Sequence, residues 1–151
     1  MPAATDVAYI ALGSNEGDRA AHLAAARAAL AALEGTRVLA ASAVEETEPV
    51  GGVPQGAYLN QMLAVETSLP PLVLLERLQE IERAAGRMRG DGYVRWGPRP
   101  LDLDIVLFER QQLREPTLVV PHPELPNRDF WRRELAELAA ARGAPATEGR
   151  P

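Results

Sequence analysis

Cysteine and lysine are both missing from these 151 residues, and each absence removes a class of chemistry. Without cysteine there can be no disulfide and no thiolate metal site, a usage compatible with a cytoplasmic setting. Without lysine there is no Schiff base and no Walker-type phosphate loop. All 16 formal positive charges are therefore arginine, set against 21 acidic residues for a net charge of −5. That balance argues against a general nucleic-acid binder. Long hydrophobic runs are lacking too, since Arg, His or Glu interrupts each of them, so no membrane span is expected. The start of the chain has no basic segment before the strand-like sequence at Val7, and no secretory signal is expected. The expected location is the cytoplasm.

With 46% hydrophobic and 25% charged residues, the composition fits one globular domain over 1–151. Its Gly/Pro/Ala/Glu tail, from about residue 143, is expected to fray. The most informative stretch is residues 95–108, RWGPRPLDLDIVLF. A turn punctuated by Pro and Gly leads into a period-two strand, with Leu101, Leu103, Ile105 and Leu107 on one face and Asp102 and Asp104 on the other. Carboxylates at i and i+2 of a strand are rooted about 6–7 Å apart and repel each other unless a cation lies between them. Oxygen-only ligands suit Mg²⁺, and Arg95 and Arg99 lie just upstream. The pair alone also fits the solvated face of an antiparallel sheet. The Trp, two Arg and two Pro among the eight preceding residues favour a Mg²⁺-nucleotide site.

Elsewhere, residues 7–12 read as a buried strand, ended by the turn Gly13-Ser14-Asn15. A helix over about 18–34 follows, with Leu23, Ala26, Leu30 and Leu33 at helical spacing, Asn15 or Asp18 as cap and Gly35 as stop. Arg37 to Glu46 reads as one alternating strand, and the Gly/Pro-rich loop 47–56 is of a length often functional. A strand over 58–69 precedes a helix opened by Pro70-Pro71, with Leu72, Leu75, Leu78, Ile81 and Ala85 as its apolar stripe. A second Gly-rich loop, 86–93, leads into the Asp strand. A short strand or turn near 111–114 and a last helix over about 130–141, capped by Asn127 or Asp129, complete the chain. The order β-α-β-β-α-β predicts an α+β, ferredoxin-like α/β sandwich. Its antiparallel sheet carries both helices on one face and additional elements at the C-terminus. The other face and its loops remain for ligands.

Several motifs resemble those of the 6-hydroxymethyl-7,8-dihydropterin pyrophosphokinases of folate synthesis. They are residues 95–99 with 101–105, Ala8 to Asn15, Tyr58-Leu59-Asn60 with Glu66-Thr67, and Val120-Pro121-His122 followed by Asn127-Arg128. The resemblance implies transfer of pyrophosphate from ATP to the pterin hydroxymethyl group, releasing AMP. It implies that Asp102 and Asp104 hold two Mg²⁺ ions. ATP contacts are implied for Gln79, Glu82, Arg87, Arg89, Trp96, Arg99, Ile105, His122 and Arg128. Pterin contacts are implied for Thr47, Pro49, Val50, Tyr58, Asn60, Trp96 and Phe130.

Physical chemistry is consistent with those roles. Phosphoryl transfer needs positioning and neutralisation of spreading negative charge. A flat, polar pterin suits an aromatic sandwich of Tyr58 and Phe130, with the Asn60 amide reading its edge. Arg87 and Arg89, in the 86–93 loop, are expected to close over the phosphates and assist the chemical step. The partners expected are small molecules, with no nucleic acid and no membrane; oligomeric state is not legible. The competing class is a non-enzymatic ferredoxin-like module that binds a small ligand. A Mg²⁺-dependent phosphatase or nuclease could use the Asp pair without explaining the loops.

Overall fold

The apolar run near the start of the chain becomes β1 (Asp6–Ser14), buried over all nine residues because it occupies the middle of the sheet. Next come α1 (Arg19–Ala31), β2 (Thr36–Ala41), β3 (Glu45–Thr47), β4 (Tyr58–Thr67), α2 (Pro71–Ala84) and β5 (Asp102–Phe108). A hairpin of β6 (Leu113–Glu115) and β7 (Leu118–Val120), a 3-10 turn (Leu125–Asn127) and α3 (Asp129–Ala141) complete the order. A computed structural model describes residues 4–48, 57–86 and 100–142. The tail from 143 lies outside them.

The strands are ordered β2-β4-β1-β5, every pair antiparallel, with β3 also on β4. This is the expected α+β, ferredoxin-like arrangement. Period two sorts the side chains. Ala8, Ile10, Leu12, Leu63, Val65, Leu103 and Ile105 point to one face and meet Leu23, Ala26 and Leu30 of α1 and Leu74 and Leu78 of α2. Asp18 caps α1, accepting the Ala21 N–H at 3.1 Å. No helix among the described residues is long and apolar enough to cross a membrane.

Several expectations are corrected. The strand expected from Arg37 to Glu46 is two strands. Ser42 breaks it: its N–H bonds the Met62 carbonyl and its Oγ accepts the Met62 N–H, both at 2.9 Å. The expected stripe of α2 packs on the core through Leu75, Leu78, Ile81 and Ala85, but Leu72 is 41% exposed and Leu74 takes its place, with Glu82 also buried. Along β5 the alternation shifts at Val106, because a bulge in the pairing with β1 inserts one residue. Phe108 therefore joins the helix-covered core, and Leu107 packs on the opposite side.

The fourth correction concerns that opposite face, which is not left to loops alone. Trp131, Leu135 and Leu138 form an i, i+4, i+7 stripe of α3 over Val7, Tyr9, Ala11, Met62, Ala64 and Val106. The cap of α3 also differs from expectation: Arg128 takes the N-cap position with no side-chain bond, and Asp129 becomes the first helical residue. The far end of α3 is fastened by Arg142, whose Nη1 donates to the Tyr9 hydroxyl at 2.7 Å and to Glu109 at 2.6 Å. Burial, then the hydrogen bond to Glu109, pushes the Tyr9 pKa up to about 12.

Candidate active site

α3 covers only part of its face. Beyond its N-terminus lies a cavity of about 270 Å³. Its floor follows from register. Gly13 of β1 pairs with Asn60 on one side and with Asp102 on the other, and Ala11 pairs with Asp104. Because directly paired residues share a face, Ala11, Gly13, Tyr58, Asn60, Asp102 and Asp104 all point into the opening. Gly13 is needed for close approach: a Cβ there would stand 3.2 Å from Asn60 Oδ1 and 3.3 Å from Tyr58 Cδ1. Asn60 is buried and its amide bonds the Thr47 hydroxyl from β3.

The rim comes from the end of the chain. His122 N–H donates to the Val106 carbonyl at 2.7 Å, which fastens the turn after β7 to the bulge in β5, beside Asp104. The imidazole is fixed in turn: Nδ1 accepts the Glu124 N–H at 3.0 Å, so the neutral ring carries its proton on Nε2, 3.8 Å from Asp104 Oδ1. Burial and then the nearby Arg128 hold the His122 pKa below its ordinary value. Arg128 lies over the Trp131 indole, 4.4 Å from its centroid. Phe130, Glu48 and Glu124 also border the opening.

The structure thus brings together Thr47, Tyr58, Asn60, Asp102, Asp104, His122, Arg128 and Phe130, which stand far apart in sequence. Three expected residues do not line the cavity. Ile105 is 2% exposed, its side chain in the helix-covered core. Glu82 is 3% exposed and its carboxylate accepts the Leu103 N–H at 2.7 Å, so it bonds to the backbone between the two aspartates. Gln79 lies half-buried on α2. Arg87, Arg89, Trp96 and Arg99, with Pro49 and Val50, lie outside the described residues. Trp131 is not among the expected residues, although its spacing of three from Arg128, across the start of a helix, is a legible signal.

Chemically, one end of the opening offers two carboxylates on neighbouring positions of one face, Asp104 being 40% exposed. Among the described residues no larger acidic or His cluster joins them. Such a donor set suits Mg²⁺, which takes one or two carboxylates and completes its octahedron with water and phosphate oxygens. The other end offers two aromatic rings and a buried amide, the fittings for a flat heterocycle.

Comparison with known proteins shows the family. Residues 9–140 match the family of 7,8-dihydro-6-hydroxymethylpterin-pyrophosphokinase (HPPK). A 2-amino-4-hydroxy-6-hydroxymethyldihydropteridine pyrophosphokinase from Bacillus subtilis is 46% identical over 88% of this chain and 78% of its own length. A protein of the same name from Methylorubrum extorquens is 46% identical over 87% and 82%, and one from Pseudomonas aeruginosa 44% over 87% and 79%. A cavity with a metal-suited carboxylate pair at one end and a flat-ring pocket at the other, in a chain matched along most of its length, places this protein in the HPPK family.

Proposed function

We propose that the chain works as a single domain, transferring pyrophosphate from ATP to the hydroxymethyl group of 6-hydroxymethyl-7,8-dihydropterin and releasing AMP. The observation that carries this reading is the shared face of Asn60, Tyr58, Asp102 and Asp104 in one opening, which supports a ring site beside a polyphosphate site. The pterin lies between Tyr58 and Phe130, with Asn60 and Thr47 at its polar edge; Pro49, Val50 and Trp96 are further pterin contacts in this reading. ATP is held by Arg128 and His122, with Arg87, Arg89, Trp96 and Arg99 from the preceding loop. Gln79, Glu82 and Ile105 act from behind: Glu82 fixes the strand backbone that carries both aspartates, and Ile105 can meet nucleotide only through its main chain.

Asp102 and Asp104 would hold two Mg²⁺ ions, which neutralise and align the phosphates when bound. The chain's own part is positioning. The pterin hydroxyl oxygen attacks the β-phosphorus and gives up its proton to water, the bond from that phosphorus to the α,β-bridging oxygen breaks, and AMP leaves. The neutral His122, its proton on Nε2, gives a hydrogen-bond donor beside Asp104. Arg87 and Arg89 close over the charge that spreads in the transition state. The enzyme acts in the cytoplasm on small molecules, with no nucleic-acid or membrane partner.

The test is an assay with ATP, Mg²⁺ and the hydroxymethyl dihydropterin. One AMP per pterin diphosphate is expected. Formation of ADP, or of free phosphate without pterin consumption, would reject the reaction.

A further inference from the structure

Trp131 belongs to neither of the proposed ligand sets, yet three site residues touch it. Its indole is 2% exposed, at the start of α3 and beneath the cavity. The Arg128 guanidinium carbon lies 4.4 Å from its centroid, and the His122 ring meets it edge-on, centroids 4.9 Å apart and planes at 83°. Phe130 packs against it at 6.2 Å and 66°. Arg128 and His122 come from different elements, one from the N-cap of α3 and the other from the turn after β7. They converge on one side chain.

We propose that Trp131 is a positioning residue for the nucleotide side of the site, its indole holding Arg128 and His122 ready for the polyphosphate. The geometry explains how. A guanidinium stacked on a ring is held through its face, which leaves its N–H donors free at the edge for forked bonds to phosphate. Among the described residues no ion pair or side-chain hydrogen bond holds Arg128, so the indole supplies the orientation that a carboxylate would otherwise impose at the expense of those donors. His122 has its rotation set by the Glu124 N–H and its tilt by the indole. Both groups are thereby ordered before ATP arrives, which lowers the entropy lost on binding. The inference rests on reading Arg128 and His122 as nucleotide ligands.

The experiment measures equilibrium binding of a non-hydrolysable ATP analogue with Mg²⁺, and steady-state kinetics, for Trp131→Leu and Trp131→Phe. The same measurements are made in a His122→Ala/Arg128→Ala background. Trp131→Leu is expected to weaken analogue binding about tenfold, the size of one desolvated cation–π contact. The KM for pterin should stay within about twofold, and Trp131→Phe, which keeps a ring face, should recover most of the loss. In the double-alanine background Trp131→Leu should cost nothing further. Wild-type analogue affinity in Trp131→Leu, or an equal penalty in both backgrounds, would overturn the proposal. Wild-type affinity in the double-alanine protein itself would instead overturn the nucleotide reading of Arg128 and His122, and the proposal with it. Should Trp131→Leu fail to fold, emission from the one indole left in Trp96→Phe decides. It must change at saturating analogue, and constant emission rejects the role.

Discussion

The two faces of the sheet are built from the same strands, one residue out of step, and they differ in what they bury. Under α1 and α2 the contacts are mainly apolar, and polar side chains buried there are matched: Glu82 accepts a backbone N–H, and Gln61 accepts from Arg27 of α1 at 2.8 Å. Under and beyond α3 the sheet carries Gly13, Asn60, Asp102 and Asp104 at one end, and the Tyr9–Glu109–Arg142 network at the other. Glu134 of α3 is 1% exposed, and no donor among the described residues reaches either of its oxygens. Burial first, and the neighbouring Glu45 carboxyl second, push its pKa up to about 9. Glu45 itself takes Arg133 at 2.8 Å. One face supplies the stability that lets the other hold unfavourable groups where chemistry needs them.

The sharpest separation of the faces comes from the aspartates. Asp102→Ala and Asp104→Ala should each cut AMP formation by about 10³-fold, the scale of losing a metal-held transition-state charge, with the circular dichroism spectrum unchanged. Near wild-type turnover from either at saturating Mg²⁺ would sink the metal assignment. The converse change is Leu78→Ala, in the fully buried stripe of α2. It should lower the unfolding free energy by about 3 kcal/mol, read from the urea midpoint, and leave the pterin KM of the folded fraction alone. A shifted KM would mean that the helix face also shapes the site.

Glu134→Gln tests whether the second face carries a cost. Its acid has a folded pKa of about 9 against an ordinary value of 4.5. The folded state therefore holds a proton that the unfolded chain releases. That contribution is complete below pH 4.5 and is lost as pH rises towards 9. The neutral isostere should be more stable than the natural protein by about 4–5 kcal/mol at pH 8 and by less than about 1 kcal/mol at pH 5. A melting-temperature gap that does not widen between those pH values refutes the buried-acid assignment.

Two smaller effects lie within the cavity. Asn60→Ala should weaken pterin binding by about 1–3 kcal/mol, the cost of leaving buried polar groups unpaired, with nucleotide binding preserved. Calorimetry showing the reverse would mean that the two ends were assigned backwards. Gly13→Ala should give the smallest change, a few-fold rise in pterin KM as the new Cβ displaces Asn60 and Tyr58 by a few tenths of an ångström. An unaltered KM would show that the wall yields without consequence.

Much of the first face is legible in the residue pattern alone. Leu23, Ala26 and Leu30 at helical spacing, the Asp18 cap, the buried run of β1 and the alternation of β5 up to its bulge are local patterns, and such patterns survive folding. The Asp pair is legible for the same reason, since i and i+2 on a strand share a face whatever surrounds them. Glu82 reads as the polar side of its helix because nothing nearby in sequence announces the Leu103 N–H, 21 positions away. Likewise Leu107 exchanges sides with Phe108 because a bulge is set by the pairing of β1 with β5, not by either strand alone.

What the sequence determined by itself is therefore most of the elements, the faces of their side chains where no break or bulge intervenes, and the two carboxylates that share one face of β5. Tertiary structure alone decided which faces meet. The register of β1 against both β4 and β5 brings Gly13 between Asn60 and Asp102, and the return of the C-terminal helix brings Arg128, Phe130 and Trp131 over them. Those positions are separated by tens of residues, and side-chain periodicity reports only the element that carries it. The cavity exists because strands distant in sequence pair in one register and a helix covers only part of the face they make.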